Sequence, residues 1–242
     1  MIASVLLGTH PPVLAVKALV RVGELFGIAE GTIRVALSRM SSDGELLGDD
    51  GHYRLGPRLA ARQARQDQGR WPKVREWSDA WEIVVGIEGG GDREALGARL
   101  EALNLAWAGG RTWLRPANLI RSSSMPWPER CLRLEGSPVI DGADDRAVAE
   151  SLWDLDGWQR LGSDLIGAYD AAAGPAERFV VAAAILRHLR ADPLLPDELT
   201  GPDWPAWRLR RTYEAFDDEI NSLMAASAHR GATGSAPLTG RA

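Results

Sequence analysis

A single cysteine, Cys131, stands in a chain of 242 residues, so no disulfide can form within it, and this fits a reducing cytoplasm. No apolar run approaches the roughly eighteen residues that a membrane-spanning helix needs. The apolar opening, Met1 to Leu7, lacks the basic flank and cleavage pattern of a secretory signal. It reads instead as a first helix near Ile2 to Gly8, stopped by Pro11-Pro12. Histidine is scarce as well: His10, His52, His188 and His229 stand apart, without Cys or carboxylate partners at ligand spacing, so no zinc site is suggested. Neither a Gly-x-Ser-x-Gly elbow nor a glycine-rich phosphate loop is present, and no cofactor is called for. Cys131, within a strand-like stretch, reads as a small buried residue rather than a reactive thiol.

What is present describes an ordinary water-soluble protein, 45% apolar and 25% charged, long enough for one large domain or two to three small ones. The net charge of −5 argues at first against a nucleic-acid partner. Its distribution argues the other way. Residues 1–75 hold eleven Lys and Arg against seven Asp and Glu, a balance of +4 that leaves −9 for the remainder. A basic end on an acidic body would turn that end toward phosphates.

Within the basic end, Phe26 to Met40 has the sharpest pattern. At about 100° per residue, Ile33, Ala36, Leu37 and Met40 share one side of a helix, with Gly31, Arg34, Val35 and Ser38 opposite and Thr32 and Arg39 flanking them. Such a helix can lie close to a duplex, its guanidinium groups reaching phosphates or guanine. Val13 to Leu25 reads as a preceding helix with Leu14, Ala18, Val22 and Leu25 on its buried stripe, and Gly27 supplies the turn. Two short apolar-containing runs then flank Gly48-Asp-Asp-Gly51, a hairpin signal that puts His52 and Arg54 on or beside a wing. Helix pairs that bind nothing show the same periodicity, and two arginines on an outer face equally describe a solvated surface.

A resemblance adds to this reading. Leu25 to Gly44 with Tyr53-Arg-Leu55, and far downstream Leu194-Leu-Pro-Asp-Glu-Leu199 with Asp203-Trp-Pro205, are similar to the PaaX family of transcriptional repressors, known from phenylacetic acid catabolism. The resemblance implies an α+β protein with an N-terminal winged helix-turn-helix, a ferredoxin-like middle domain and a mainly helical C-terminal domain. It also implies a homodimeric repressor bound to double-stranded operator DNA; on the outer face of the helix, Arg34, Ser38 and Arg39 are then expected closest to that DNA, with Val35 on the same face and Thr32 helping to hold a phosphate. The ranges expected are 1–70 for the DNA-binding domain, 71–140 for the middle, dimerising domain, 141–225 for the helical domain and 226–242 for a disordered tail.

Residues beyond the basic end fit that plan. Pro57 to Gln68 reads as a connecting helix whose arginines could meet the DNA backbone, or simply face solvent. Trp81 to Ile87 reads as a buried strand, Arg93 to Leu103 as a helix with Leu96, Leu100 and Leu103 inward, and Leu105–Trp107, Thr112–Leu114 and Arg130–Glu135 as further strands. Helices follow over Arg146–Leu152, Gly157–Ala173, Glu177–Arg190 and Trp204–Met224. In the family a CoA thioester releases the repressor from DNA. The aromatic walls and anion partners available for such an effector are Trp153, Trp158, Tyr169 and Trp204 with Arg178, Arg187 and His188, although their helical spacing equally describes core. A different reading comes from the likeness of a ferredoxin-like middle domain to small CRISPR-associated nucleases, which hold a metal through an acidic residue at the end of the first strand. Glu88 has roughly that position, as a lone carboxylate.

Overall fold

A computed structural model describes residues 1–87, 92–121, 127–138 and 142–232, with side chains in the last helix to residue 222. Helices and antiparallel sheets are divided between two compact units, and each is described by itself.

The first unit comprises residues 1–70, 164–190 and 208 onward. It begins with α1 (Ile2–Gly8), β1 (Val13–Ala15), α2 (Val16–Leu25) and α3 (Glu30–Ser42). β2 (Leu46–Asp49), β3 (His52–Leu55) and α4 (Pro57–Arg70) complete this run. The helix expected from Val13 is thus a strand for its first three residues. Val13, Leu14 and Ala15 pair antiparallel with Arg54, Tyr53 and His52, making a three-stranded sheet of order β1-β3-β2. That pairing is long-range, and the local helical periodicity gave no sign of it. The stripe of α2 moves accordingly: Leu19, Val20, Val22 and Gly23 are buried, whereas Leu14 lies in β1 and Ala18 and Leu25 are only half-buried. Leu6, Leu19, Ile33, Leu37, Leu46 and Leu55 form part of the unit's core. Each such aliphatic side chain contributes roughly 1.5–3 kcal/mol through burial.

The first unit also takes in α8 (Pro175–Leu189) and most of α10 (Ala206–Ala232). A buried cluster joins α4 to α10, where the Arg70 guanidinium donates to the Asp217 carboxylate at 2.8 Å and lies over the Tyr213 ring at 4.6 Å. α10 runs past Ala225 into the stretch expected to be disordered, as its alanine-rich sequence favours. Residues 233–242 lie outside the described residues.

The second unit comprises residues 71–163 and 191–207. Its sheet has the order β5-β6-β4-β7, built from β4 (Trp81–Gly86), β5 (Ala106–Gly109), β6 (Thr112–Pro116) and β7 (Cys131–Gly136), all neighbours antiparallel. α5 (Arg93–Glu101) connects β4 to β5, and its Leu96 and Leu100 join Val84, Leu105 and Trp113 in one apolar cluster. Cys131 packs against that cluster half-buried, and burial pushes its thiol pKa up. α6 (Asp145–Leu152) and α9 (Asp197–Thr200) also belong here. α7 (Leu155–Ala171) is shared, giving its residues to Ser163 to this unit and the rest to the other. The stretch 141–225, expected as one helical domain, is thereby divided between the two units.

Candidate nucleic-acid interface

Two local devices set the position of α3. Gly27 (φ +67°) and Gly44 (φ +68°) end α2 and α3 in the left-handed conformation that glycine adopts without a Cβ clash. At each end the chain makes the same pair of bonds. Ile28 N–H donates to Gly23 O at 2.9 Å and Gly27 N–H to Glu24 O at 3.0 Å, while Glu45 N–H donates to Met40 O at 2.9 Å and Gly44 N–H to Ser41 O at 3.1 Å. Terminal carbonyls are satisfied, and both helices stop where the sequence places the turns.

The faces of α3 sort as its periodicity requires. Ile33 and Leu37 are buried at 2% and 1% exposure, and Ala36 and Met40 are half-buried. Thr32, Arg34, Val35, Ser38 and Arg39 are exposed together. Val35 is 71% exposed, an apolar side chain in open solvent at the middle of the outer face. Arg34 pairs with Glu30 one turn earlier at 2.7 Å, both side chains more than half exposed. Pairs of that kind contribute only about 0.3–0.5 kcal/mol, so a phosphate can displace the carboxylate at little cost. The Arg39 guanidinium has no hydrogen-bond or ion-pair partner among the described residues.

The hairpin beside α3 turns at Asp50 (φ +41°) and Gly51 (φ +71°), the positive angles of a type I′ turn, with Asp49 opposite His52. His52 and Arg54 are exposed on one side of β3, two residues apart. His52 Nδ1–H donates to Asp50 O at 3.0 Å, which orients the ring, and the Arg54 guanidinium has no partner among the described residues. The arrangement offers three guanidinium cations, two hydroxyls, an imidazole and a valine, a set suited to phosphate oxygens, guanine edges and a thymine methyl.

The residues considered for an effector separate. Trp158 and Trp204, both 8% exposed, stack on one another with centroids 4.3 Å apart in the second unit, where Trp153 caps α6. Each of the stacked pair thus packs against an aromatic partner of the core. Tyr169, Arg178, Arg187 and His188 belong to the first unit. There Arg178 already pairs with Glu219 at 3.4 Å, His188 is buried, and Arg187 is exposed. Glu88 lies outside the described residues, and the described residues contain no group of three His, Cys, Asp or Glu able to hold a metal ion.

The interior of the second unit holds an arginine that sequence reasoning passed over. Arg115 is fully buried, donating to Pro116 O, Asn104 O, Asn118 Oδ1 and Leu194 O at 2.8 to 3.1 Å. Burial, with the nearby charge of Arg121, lowers its pKa to about 9. Its partners are spread along the chain, and no local motif announces them.

The sequence profile of the PaaX-like proteins matches residues 1–62, the stretch that carries α3 and the hairpin. Uncharacterized protein Rv0674 from Mycobacterium tuberculosis, a solved structure, is 38% identical over 93% of this chain and 96% of its own, with a TM-score of 0.79. The chain belongs to the PaaX-like family. That is a family of transcriptional regulators, and membership suggests this role and DNA as a partner. No curated protein matches the chain. Among the described residues no helix is long and apolar enough to cross a membrane.

Proposed function

We propose that this protein is a dimeric, sequence-specific DNA-binding repressor in which α1 to α4 and the β1-β3-β2 sheet form a winged helix-turn-helix. One observation carries the reading: α3 buries Ile33 and Leu37 and leaves Arg34, Val35, Ser38 and Arg39 exposed side by side. α3 is then the recognition helix, entering the major groove with Arg34, Ser38 and Arg39 nearest the bases and Thr32 on a phosphate. The β2–β3 hairpin is the wing, with His52 and Arg54 against the flanking backbone. A homodimer would set two such helices in successive grooves of a palindromic site.

The second unit supplies the ferredoxin-like part of the proposal. Its order β5-β6-β4-β7 is that of a split βαβ sheet, with α5 as its first crossover helix. By the family resemblance, release from the operator follows binding of a small effector, such as an aryl- or acyl-CoA thioester. The test is a gel shift on the DNA upstream of the protein's own gene, with Arg34→Ala and Arg39→Ala. Loss of a base contact should weaken binding by ~1–3 kcal/mol and relax specificity at one base pair, whereas loss of a phosphate contact should weaken all sequences alike. Unchanged binding by both variants would place the interface elsewhere.

A further inference from the structure

Away from α3 and the hairpin, the first unit gathers a second group of arginines. Arg62 of α4 and Arg187 and Arg190 at the end of α8 line one opening on its surface. All three are exposed, and their guanidinium groups have no hydrogen-bond or ion-pair partner among the described residues. No Asp or Glu lines that opening among the described residues. Like charges brought together without a counter-charge repel one another and weaken folding slightly. Compensation of a helix C-terminus accounts for Arg187 and Arg190 at the end of α8. It does not account for Arg62, which stands in the middle of α4. Arg58, one turn before Arg62 on the same face of α4, is exposed and pairs with Glu45 at the foot of the hairpin. A row of cations therefore leads along α4 from the hairpin to the cluster.

Packing fixes where the cluster stands relative to α3. Phe179, near the start of α8, meets the ring of Phe26 edge-on, with centroids 4.9 Å apart and planes at 77°. Phe26 caps α2 immediately before the Gly27 turn that leads into α3. At the far end of α8, a Cβ on Gly69 of α4 would come within 2.8 Å of Leu189 O, so only glycine lets the two helices approach this closely. Arg210 of α10 donates its Nε–H to Gly69 O at 2.9 Å and closes the same corner. α8 is thus fastened at one end to the turn before α3 and at the other to α4. Arg187 and Arg190 follow Phe179 by eight and eleven residues, which places them about 12 to 17 Å from it along the helix axis. That length matches about four to five base pairs of duplex, at 3.4 Å for each phosphate along a strand.

We infer that Arg62, Arg187 and Arg190 form a second DNA contact, built mainly by α8 and separate from the recognition helix and wing, which holds phosphates of the duplex flanking the operator. Guanidinium groups grip phosphate oxygens in bidentate fashion, and phosphate contacts carry no base information, so this contact is indifferent to the flanking sequence. The inference rests on the DNA-binding reading above and extends it to a surface that the helix-turn-helix alone does not supply.

Duplexes of different length test it. The starting point is the shortest piece of the upstream DNA that the full chain still binds in preference to a scrambled duplex. Extending that piece at each end by roughly ten base pairs, one helical turn, of arbitrary sequence should strengthen wild-type binding. The gain should be about fivefold or more at low salt, with the salt slope steeper by about 0.9 for each phosphate engaged. The triple variant Arg62→Ala/Arg187→Ala/Arg190→Ala should bind the short duplex as the wild type does and lose the gain from extension, with an unchanged melting temperature. Lysine at the same three positions should keep most of the gain, since it preserves the charges. A wild type that binds short and extended duplexes alike, or a triple alanine variant that keeps the gain, would overturn the second contact and leave the role of α3 standing. A wild type that prefers no duplex over its scrambled form would overturn both readings.

Discussion

Arginine has opposite roles in the outer face of α3 and the interior of the second unit, and the contrast shows what its surroundings decide. Arg115 is sealed from water and held by four acceptors, so it works as a strut between β6 and the chain near Leu194. Arg34 and Arg39 are exposed, one loosely paired and the other with no side-chain partner among the described residues, so they add little to folding and remain available to a partner. The same side chain is structural where its donors are saturated and is ready for recognition where they are not.

Breaking the strut should give the largest effect. Arg115→Ala leaves four acceptors without their donor and opens a cavity, so chemical denaturation should show a loss of about 3 kcal/mol or more. Next comes a pH effect in the first unit, where burial pushes the Tyr213 pKa up to about 12. An acid whose pKa is higher in the folded state stabilises fully below its unfolded pKa, near 10. That contribution is lost as pH rises from there through about 12, and a denaturation series should show it. Tyr213→Phe should flatten the loss.

The exposed arginines should behave in the reverse way. Arg34→Ala and Arg39→Ala should leave the melting temperature within a degree or so of wild type, as surface changes do, while weakening the DNA complex. The smallest effect is expected from Glu30→Ala, which removes the partner of Arg34. Helix stability should fall by no more than about 0.5 kcal/mol, and DNA should bind slightly more tightly because a carboxylate has left the interface.

How much of this was legible in the sequence depends on whether the determining contacts are local. The faces of α3 followed from a 100° period over Ile33 and Leu37 against Arg34 and Ser38, and the hairpin followed from Asp50-Gly51, since both depend on neighbours within a few residues. The local pattern predicts helix for β1 because Val13 to Ala15 continue the apolar pattern of α2, and only pairing with β3, far along the chain, makes them a strand. Arg115 was unreadable for the same reason: its acceptor Leu194 O is 79 residues away. From sequence alone, Arg62 on the connecting helix fits a DNA-backbone contact or a solvated residue. Its place beside Arg187 and Arg190 appears only when α4 and α8 are brought side by side. The aromatic residues show the limit of composition, since Trp158 and Trp204 pack against each other, whereas Phe26 and Phe179, unmarked in the sequence, join α8 to the turn before α3.

The salt dependence of binding to the upstream DNA, measured for wild type and for the Arg34→Ala/Arg39→Ala double variant, tests the role of α3 most directly. The account predicts that log K falls steeply with log salt in the wild type, and that the double variant binds more weakly at every salt concentration, its slope shallower by about 0.9 for each arginine that also neutralises a phosphate. The same affinity and the same slope in both proteins would contradict it.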